Sequence, residues 1–156
     1  MTTVNDVAAM PITAAAEWTT RLDAIRNLAA RNAHWLLRGT LASVFIYHGL
    51  FKFTRLDAMS EMLGLPIVVV ALVALAELGG GAFVVLGGLR RDGFVADLLT
   101  RLGGLMIVPV MIGAIVMVHW GQWSFVPSAS HPMGGMQFQV ALLLLSLFFV
   151  FKGNKA

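Results

Sequence analysis

The sequence predicts an all-α integral membrane protein that folds as an antiparallel four-helix bundle with an N-terminal amphipathic interfacial helix. Of its 156 residues, 58% are hydrophobic and only 12% are charged, a composition outside the range of ordinary soluble domains. Four apolar segments each approach the ~20 residues that a helix needs to cross a bilayer. The short link at residues 87–93 forces an antiparallel pair of helices. We therefore expect one four-span transmembrane domain over residues 34–156.

Residues 1–33 are expected to form a tail and a surface helix. The first 13 residues have no periodicity, which predicts disorder. From Ala14 to Ala33, apolar side chains recur at helical spacing while charged ones occupy other faces, so this segment predicts an amphipathic helix. Such a helix lies on the membrane surface, although docking on a partner subunit fits the pattern almost as well. No cleaved signal peptide is expected, because no Lys or Arg precedes Arg21.

The four predicted spans cover residues 35–53, 66–89, 95–118 and 136–151. Pro66 suits the N-terminus of the second helix. In this topology most basic residues fall on one side, which predicts that this side and both termini are cytoplasmic. The aromatic segment 119–135 contains no Lys or Arg and is expected in the outer interfacial belt. The basic residues on the predicted inner side are Arg21, Arg26, Arg31, Arg90, Arg91, Arg101, Lys152 and Lys155.

Composition also excludes several kinds of chemistry. The chain contains no cysteine, which rules out disulfides, thiolate catalysis and a Cys-bound iron–sulfur cluster. The pI of about 10.0 comes from basic clusters beside the predicted spans. This arrangement favours contact with lipid headgroups and argues against nucleic acid as a partner.

Glu77 is the strongest pointer to function, because it interrupts a long apolar run near the predicted bilayer midplane. An ionised carboxylate there is costly unless it is paired, protonated or used. Three interpretations stay open: a protonated interhelical hydrogen bond, a buried ion pair, or a proton-relay or quinone-binding group. The glycines at 79–81 that follow are interpreted as small residues for close helix packing.

A polar stripe on the first span offers partners for Glu77. Arg38, His48 and Lys52 lie within about a quarter-turn of one another on a helical wheel. Arg38 and Lys52 are near enough to the span ends to act as membrane anchors. His48 is placed about one turn below the outer end, where it can shuttle a proton. A partnership of Glu77 with His48 or Lys52 is therefore expected to be sterically feasible.

A second polar group is expected at the outer ends of the third and fourth spans. His119 ends the third span, and Gln137 and Gln139 begin the fourth at the same level. Together with His48 and Lys52 they are expected to form one polar cluster under the outer loop. Haem b is not expected, because a histidine pair for haem needs matched depth and His48 lies deeper than His119. No metal site is expected either, since His119 and His131 have no recognised ligand spacing.

Two strings of the sequence resemble the DoxX family of small four-span bacterial membrane proteins. They are RGTLASVFIYHGLFKF from Arg38 and GLPIVVVALVALAELGGGAFVVLGGLRR from Gly64. Members of the family are similar to the small membrane subunit of thiosulfate:quinone oxidoreductase. The resemblance implies a bacterial inner-membrane protein with a redox partner and contact with quinone, but it does not imply thiosulfate as substrate.

The resemblance also covers individual positions. Arg38, His48, Lys52, Glu77 and His119 match recurrent polar positions of the family. Where members carry a glutamate and an aromatic residue at the start of the fourth span, this chain has Gln137 and Phe138. The missing acid argues against a proton mechanism that uses two carboxylates.

Three functions follow as hypotheses. In the first, Glu77, His48 and Lys52 exchange protons with a quinone, while Arg38, His119 and Gln137 line its site and a partner protein supplies electrons. In the second, the chain is a non-catalytic scaffold of a larger membrane complex. In the third, it is a small transporter or ion pathway, which at this length requires a homo-oligomer.

Overall fold

The computed structural model describes residues 12–90 and 93–155, and every regular element in these residues is helical. The predicted disordered tail falls mostly on residues 1–11, which lie outside the described residues. The α-helices in these residues are α1 Ile12–Asn32, α2 His34–Phe53, α3 Leu56–Leu63, α4 Ile67–Leu89, α5 Phe94–Ala114 and α6 Gln137–Lys152. A π-helical turn, Ile115–His119, extends α5, and a 3₁₀ turn, Gly153–Lys155, follows α6.

The chain divides near residue 36 into two compact units. The first unit contains α1, which forms over the segment where the sequence predicts a helix. Its apolar residues Trp18, Leu22, Ile25 and Leu28 are all exposed. A helix over this segment is confirmed, whereas its amphipathic character and its location on a membrane surface stay predictions.

Among the described residues, three helices of the second unit are long and apolar enough to cross a membrane. They span Ile67–Leu89, Phe94–His119 and Gln137–Lys155. Helix α2 also forms over a predicted span, but it is not among these three, so the fourth crossing stays a prediction. The sequence did not predict α3, which ends at Gly64 in the left-handed conformation (φ 64°).

Glycines set the distance between the helices of the second unit. A Cβ added to Gly49 of α2 would lie 2.9 Å from the Ala74 carbonyl oxygen of α4. A Cβ on Gly103 of α5 would lie 2.7 Å from the Gly80 carbonyl oxygen of α4, and Gly104 approaches the backbone of α6 equally closely. Such contacts are open only to residues without a side chain. The packing interpretation of the glycine run is thus confirmed for Gly80.

The buried core lies between α2, α4, α5 and α6, and most large side chains on the outer faces of α4, α5 and α6 are apolar. Exposed apolar faces of this kind match a lipid environment, where no water satisfies polar groups. The core thus holds the helices together while their outer faces suit a bilayer. Its buried members are Leu41, Phe45, Val84, Ile107, Met111, Leu142 and Phe149.

Candidate functional site

A buried ion pair joins α2 to α4. The Lys52 ammonium donates to both Glu77 carboxylate oxygens, at 2.6 Å to Oε1 and 2.7 Å to Oε2. The Glu77 side chain is only 3% exposed and that of Lys52 is 16% exposed. Two buried charges persist in a low-dielectric setting when each compensates the other. Of the two partners that the sequence offered for Glu77, the structure selects Lys52.

The close approach at Gly49 explains why Lys52 reaches Glu77. Gly49 lies between Ala74 and Leu78, with its added Cβ 2.9 Å from the Leu78 nitrogen. Leu78 is the middle residue of the 23-residue helix α4, about 16 Å from either end at 1.5 Å per residue. Lys52 begins less than one turn beyond Gly49, and its four-carbon side chain extends back to Glu77. The ion pair therefore lies near the middle of α4.

The ion pair leaves donor capacity for a ligand. A lysine ammonium carries three N–H groups, and Glu77 accepts two hydrogen bonds from it. The third N–H can donate to the carbonyl oxygen of a bound molecule. Because Lys52 keeps a small exposed area while Glu77 has almost none, a ligand would meet the lysine first. The geometry thus suits hydrogen bonding and proton exchange at Lys52, with Glu77 behind it.

His48 lies about one and a half turns before the C-terminal end of α2. Because its neighbour Gly49 packs at the middle of α4, this position is also at the depth of Glu77. The imidazole is exposed and contacts the Tyr47 ring edge to face, with ring centroids 5.5 Å apart. Within the described residues, it makes no hydrogen bond to Lys52 or Glu77.

Arg38 is a buried residue and does not extend to the surface as an anchor. The residue is 1% exposed, and its guanidinium lies over the Phe149 ring, 5.1 Å from the ring centre. It donates to the Val84 carbonyl at 2.6 Å and to Thr100 Oγ1 at 3.0 Å. A further N–H donates to Asn154 Oδ1 at 2.8 Å. Arg38 thus ties α2 to α4, α5 and the chain end, well away from Lys52.

Asn154 is a structural residue that the sequence analysis missed. Its side-chain amide donates to the carbonyls of Gly87, at 2.8 Å, and Arg90, at 2.6 Å. Its backbone N–H donates to Asp97 Oδ1 at 2.9 Å. A Gly-Asn pair after the last apolar residue signals a helix end. These partners lie 57 to 67 residues earlier in the chain, so the signal alone does not reveal them.

His119 and Gln139 form a separate polar contact at the other end of α5. His119 is 6% exposed, with Nδ1 2.8 Å from the Gly134 carbonyl and Nε2 3.0 Å from the Gln139 side-chain nitrogen. A proton on Nδ1 satisfies both contacts, because Nδ1 then donates and Nε2 accepts. Gln137 is exposed and takes no side-chain part in this contact. The residues predicted as one outer polar cluster are therefore not assembled around Lys52.

The sequence matches a known family over most of these positions. The DoxX family model aligns with residues 33–120, more than half of the chain. The chain belongs to the DoxX family. The matched range includes Arg38, Lys52, Glu77 and His119, whereas α6 and Asn154 lie beyond it.

The chain is also similar to a curated protein over most of its length. The chain is 30% identical over 124 residues to a Bacillus subtilis (strain 168) protein named "Putative oxidoreductase CatD". The match covers 77% of this chain and 78% of that protein. No solved structure matches this DoxX family membrane protein.

Proposed function

We propose that this chain is the membrane subunit of a redox complex and that Lys52 and Glu77 bind the head of a lipid-soluble quinone. The observation that carries the proposal is the buried ion pair, with Lys52 Nζ within 2.7 Å of both Glu77 oxygens. A charged pair inside an apolar bundle is costly and marks a functional site by default. Membership of the DoxX family and likeness to a protein named as an oxidoreductase support the same class of function.

The proposed architecture is a four-span bundle in a bacterial inner membrane, with both termini cytoplasmic. Helix α2 supplies the fourth crossing, and α1 lies along the cytoplasmic surface. The distribution of basic residues supports this orientation, because basic residues are enriched on the cytoplasmic side of a membrane. One end of the bundle, which we take as cytoplasmic, carries Arg90, Arg101, Lys152 and Lys155. The opposite end carries the exposed aromatic residues of segment 119–135, which suit an interfacial belt.

The proposed chemistry assigns protons to this chain and electrons to a partner. Conversion of a quinone to a quinol takes up two electrons and two protons. Lys52 donates its third N–H to a quinone carbonyl oxygen and can pass a proton to it. The lysine amine then takes up a new proton from water on its partly exposed side, and the Glu77 carboxylate, which carries no proton in the ion pair, stabilises the ammonium that forms again. The electrons come from a redox group on a partner protein, since the chain has no cysteine for an iron–sulfur cluster.

The test compares two acid-to-amide substitutions. Glu77→Gln keeps the shape of the side chain but removes the ion pair, so we expect at least a tenfold loss of quinone-dependent turnover in the native complex and weaker quinone binding. Glu61→Gln is the matched control, because Glu61 is exposed on α3 and should change neither property. Unchanged turnover and binding in Glu77→Gln would refute the proposal.

A non-catalytic scaffold is the second candidate, and α1 favours it. The exposed apolar side chains of this helix, including Trp18 and Leu22, suit docking on a partner as well as on lipid. Deletion of residues 1–33 separates the two functions. A scaffold predicts that the complex dissociates, whereas a lipid-bound helix predicts that the complex survives and retains its quinone.

The third hypothesis, a transporter or ion pathway formed by one copy of the chain, has less support than the redox and scaffold functions. Between Lys52 and Arg38, α2 carries Leu41 and Phe45, which are 0% and 1% exposed. These side chains belong to the apolar core, so the two charged groups are separated by packed hydrocarbon. Along this face of α2, therefore, apolar side chains and not polar ones lie between the ion pair and Arg38.

A further inference from the structure

The outer face of α2 differs from those of the other long helices in the second unit. The large exposed side chains of α4 and α5 are all apolar, and so are those of α6 except Gln137 at its start and Lys152 at its end. On α2, by contrast, Tyr47 and His48 are exposed side by side. A phenol and an imidazole therefore lie on a surface whose counterparts on neighbouring helices suit lipid.

These polar side chains lie on the outer face of α2, near the middle of the bundle along its axis. Gly49 packs against Ala74 and Leu78 at the middle of α4, which places Tyr47 and His48 about 15 Å from either end of that helix. The hydrocarbon core of a bilayer is about 30 Å thick, so this depth is close to its centre. Polar groups that face lipid there cannot be solvated by water. An occupant that hydrogen-bonds to them would remove this cost.

The exposed polar residues adjoin the ion pair and offer an aromatic surface. Tyr47 and Phe51 are stacked, with ring centroids 6.2 Å apart and an interplanar angle of 26°. His48 contacts the edge of Tyr47, and Lys52 follows His48 by about one turn, roughly 40° further round the helix. We define Tyr47, His48 and Phe51 as the lateral face. The lateral face presents an aromatic surface and an imidazole. Both lie next to Lys52, which is the more exposed member of the ion pair.

We propose that the lateral face is the docking surface for the quinone ring, which reaches Lys52 sideways from the lipid and not through the outer loop. This inference rests on the proposed function and assigns a binding role to residues outside the ion pair. The quinone ring lies against the exposed Tyr47 ring, as flat aromatic groups stack with an offset. Phe51 supports Tyr47 from the other side, and the Arg55 guanidinium lies over the Phe51 ring, 4.1 Å from its centre. His48 donates to one ring carbonyl oxygen, and the third N–H of Lys52 donates to the other.

Complementarity favours a quinone over a second copy of the chain. A quinone carries only acceptors on its ring, and the lateral face and Lys52 together can supply donors from the Tyr47 hydroxyl, the His48 ring and the ammonium. A second copy that met this surface symmetrically would bring a second Lys52 ammonium, which is positively charged and accepts no hydrogen bond, towards the first. It would also leave the exposed part of Lys52 without a role.

The experiment measures equilibrium binding of decylubiquinone to the purified full chain in nanodiscs. His48→Phe keeps an aromatic ring but removes the hydrogen-bonding nitrogens, and we expect its Kd to rise at least tenfold. Tyr47→Phe removes only the hydroxyl and should raise the Kd about threefold. Leu144→Phe is the control, because Leu144 is an exposed residue of α6 and should leave the Kd unchanged. Circular dichroism and a thermal melt verify that each variant folds.

A photoreactive azidoquinone gives an independent readout, since its adducts should map to residues 47–52 by mass spectrometry. Unchanged affinity in His48→Phe together with weakened binding in Glu77→Gln would overturn the lateral docking surface and leave the proposed function intact. Unchanged affinity in both would overturn both proposals. If His48→Phe instead converts a dimer to a monomer by light scattering without changing the Kd, the face is a contact between copies and the inference is wrong.

Discussion

Removal of one partner of the Lys52–Glu77 pair should destabilise the protein far more than removal of both. At 2.6 Å between Nζ and Oε1, Coulomb attraction amounts to about 6 kcal/mol at an effective dielectric constant of 20. The cost of desolvating the two ions is several kcal/mol each, so the net contribution of the pair relative to two apolar side chains is near zero. A lone charge left behind keeps its desolvation cost without the attraction.

The expected values follow from that balance. Lys52→Met and Glu77→Leu should each lower the free energy of unfolding by about 3 kcal/mol, at the low end for a broken buried pair. Glu77 left alone can take up a proton, and Lys52 left alone keeps partial exposure, which limits the loss. The double variant should lie within about 1 kcal/mol of the wild type. The coupling energy of the cycle is then about 5 kcal/mol.

Reversible unfolding by SDS in mixed micelles, followed by circular dichroism, measures these free energies. The exposed pair Asp23 and Arg26 is the control, because its atoms lie 3.4 Å apart with side chains 66% and 81% exposed. Its cycle should give a coupling below about 1 kcal/mol. Effects of Lys52→Met and Glu77→Leu that add to within about 0.5 kcal/mol would refute the buried pair.

Three further predictions concern packing and the two ends of the bundle. Gly103→Ala should destabilise the protein by about 1–3 kcal/mol, because the added Cβ would meet the backbone of α4. Gly113→Ala is the control: a Cβ there has nothing within 4 Å, so the change should stabilise the helix by about 0.5–1 kcal/mol. Thermal melts of the two variants should therefore shift in opposite directions. Asn154→Ala should cost about 2–3 kcal/mol of unfolding free energy, since the buried Arg38 loses an acceptor, and equal stability would contradict that role. His119→Ala should increase hydrogen exchange in residues 120–136, because the Gly134 carbonyl loses its donor; unchanged exchange would show that this contact does not order the loop.

The helices could be predicted from the sequence because their signals are local. Each helix can be recognised from residues that are close together in the sequence. Apolar runs mark the helices themselves, and their boundaries are marked by Pro66, Gly64 and Gly93. Helix α3 was missed because its eight residues are too few for a periodic pattern. The candidate residues Lys52 and Glu77 could also be selected locally, since charged groups in apolar runs are rare.

The partners of the polar residues could not be predicted in the same way. Arg38 near a span end fits a membrane anchor, yet it is buried because Thr100 and Asn154 supply acceptors from distant parts of the chain. His48 and Lys52 are equally plausible neighbours of Glu77 on a helical wheel. The choice between them depends on the rotation and depth of α2 against α4, which the Gly49 contact determines.

The class of protein, its helices and the set of residues able to carry chemistry follow from local patterns, because hydropathy and periodicity act over one helix at a time. The pairing of Lys52 with Glu77, the contact of Arg38 with Asn154 and the outward position of Tyr47 and His48 at mid-depth depend instead on how the helices pack. These outcomes depend on how far two helices slide and turn against each other. That geometry is decided by glycine contacts between residues far apart in the chain.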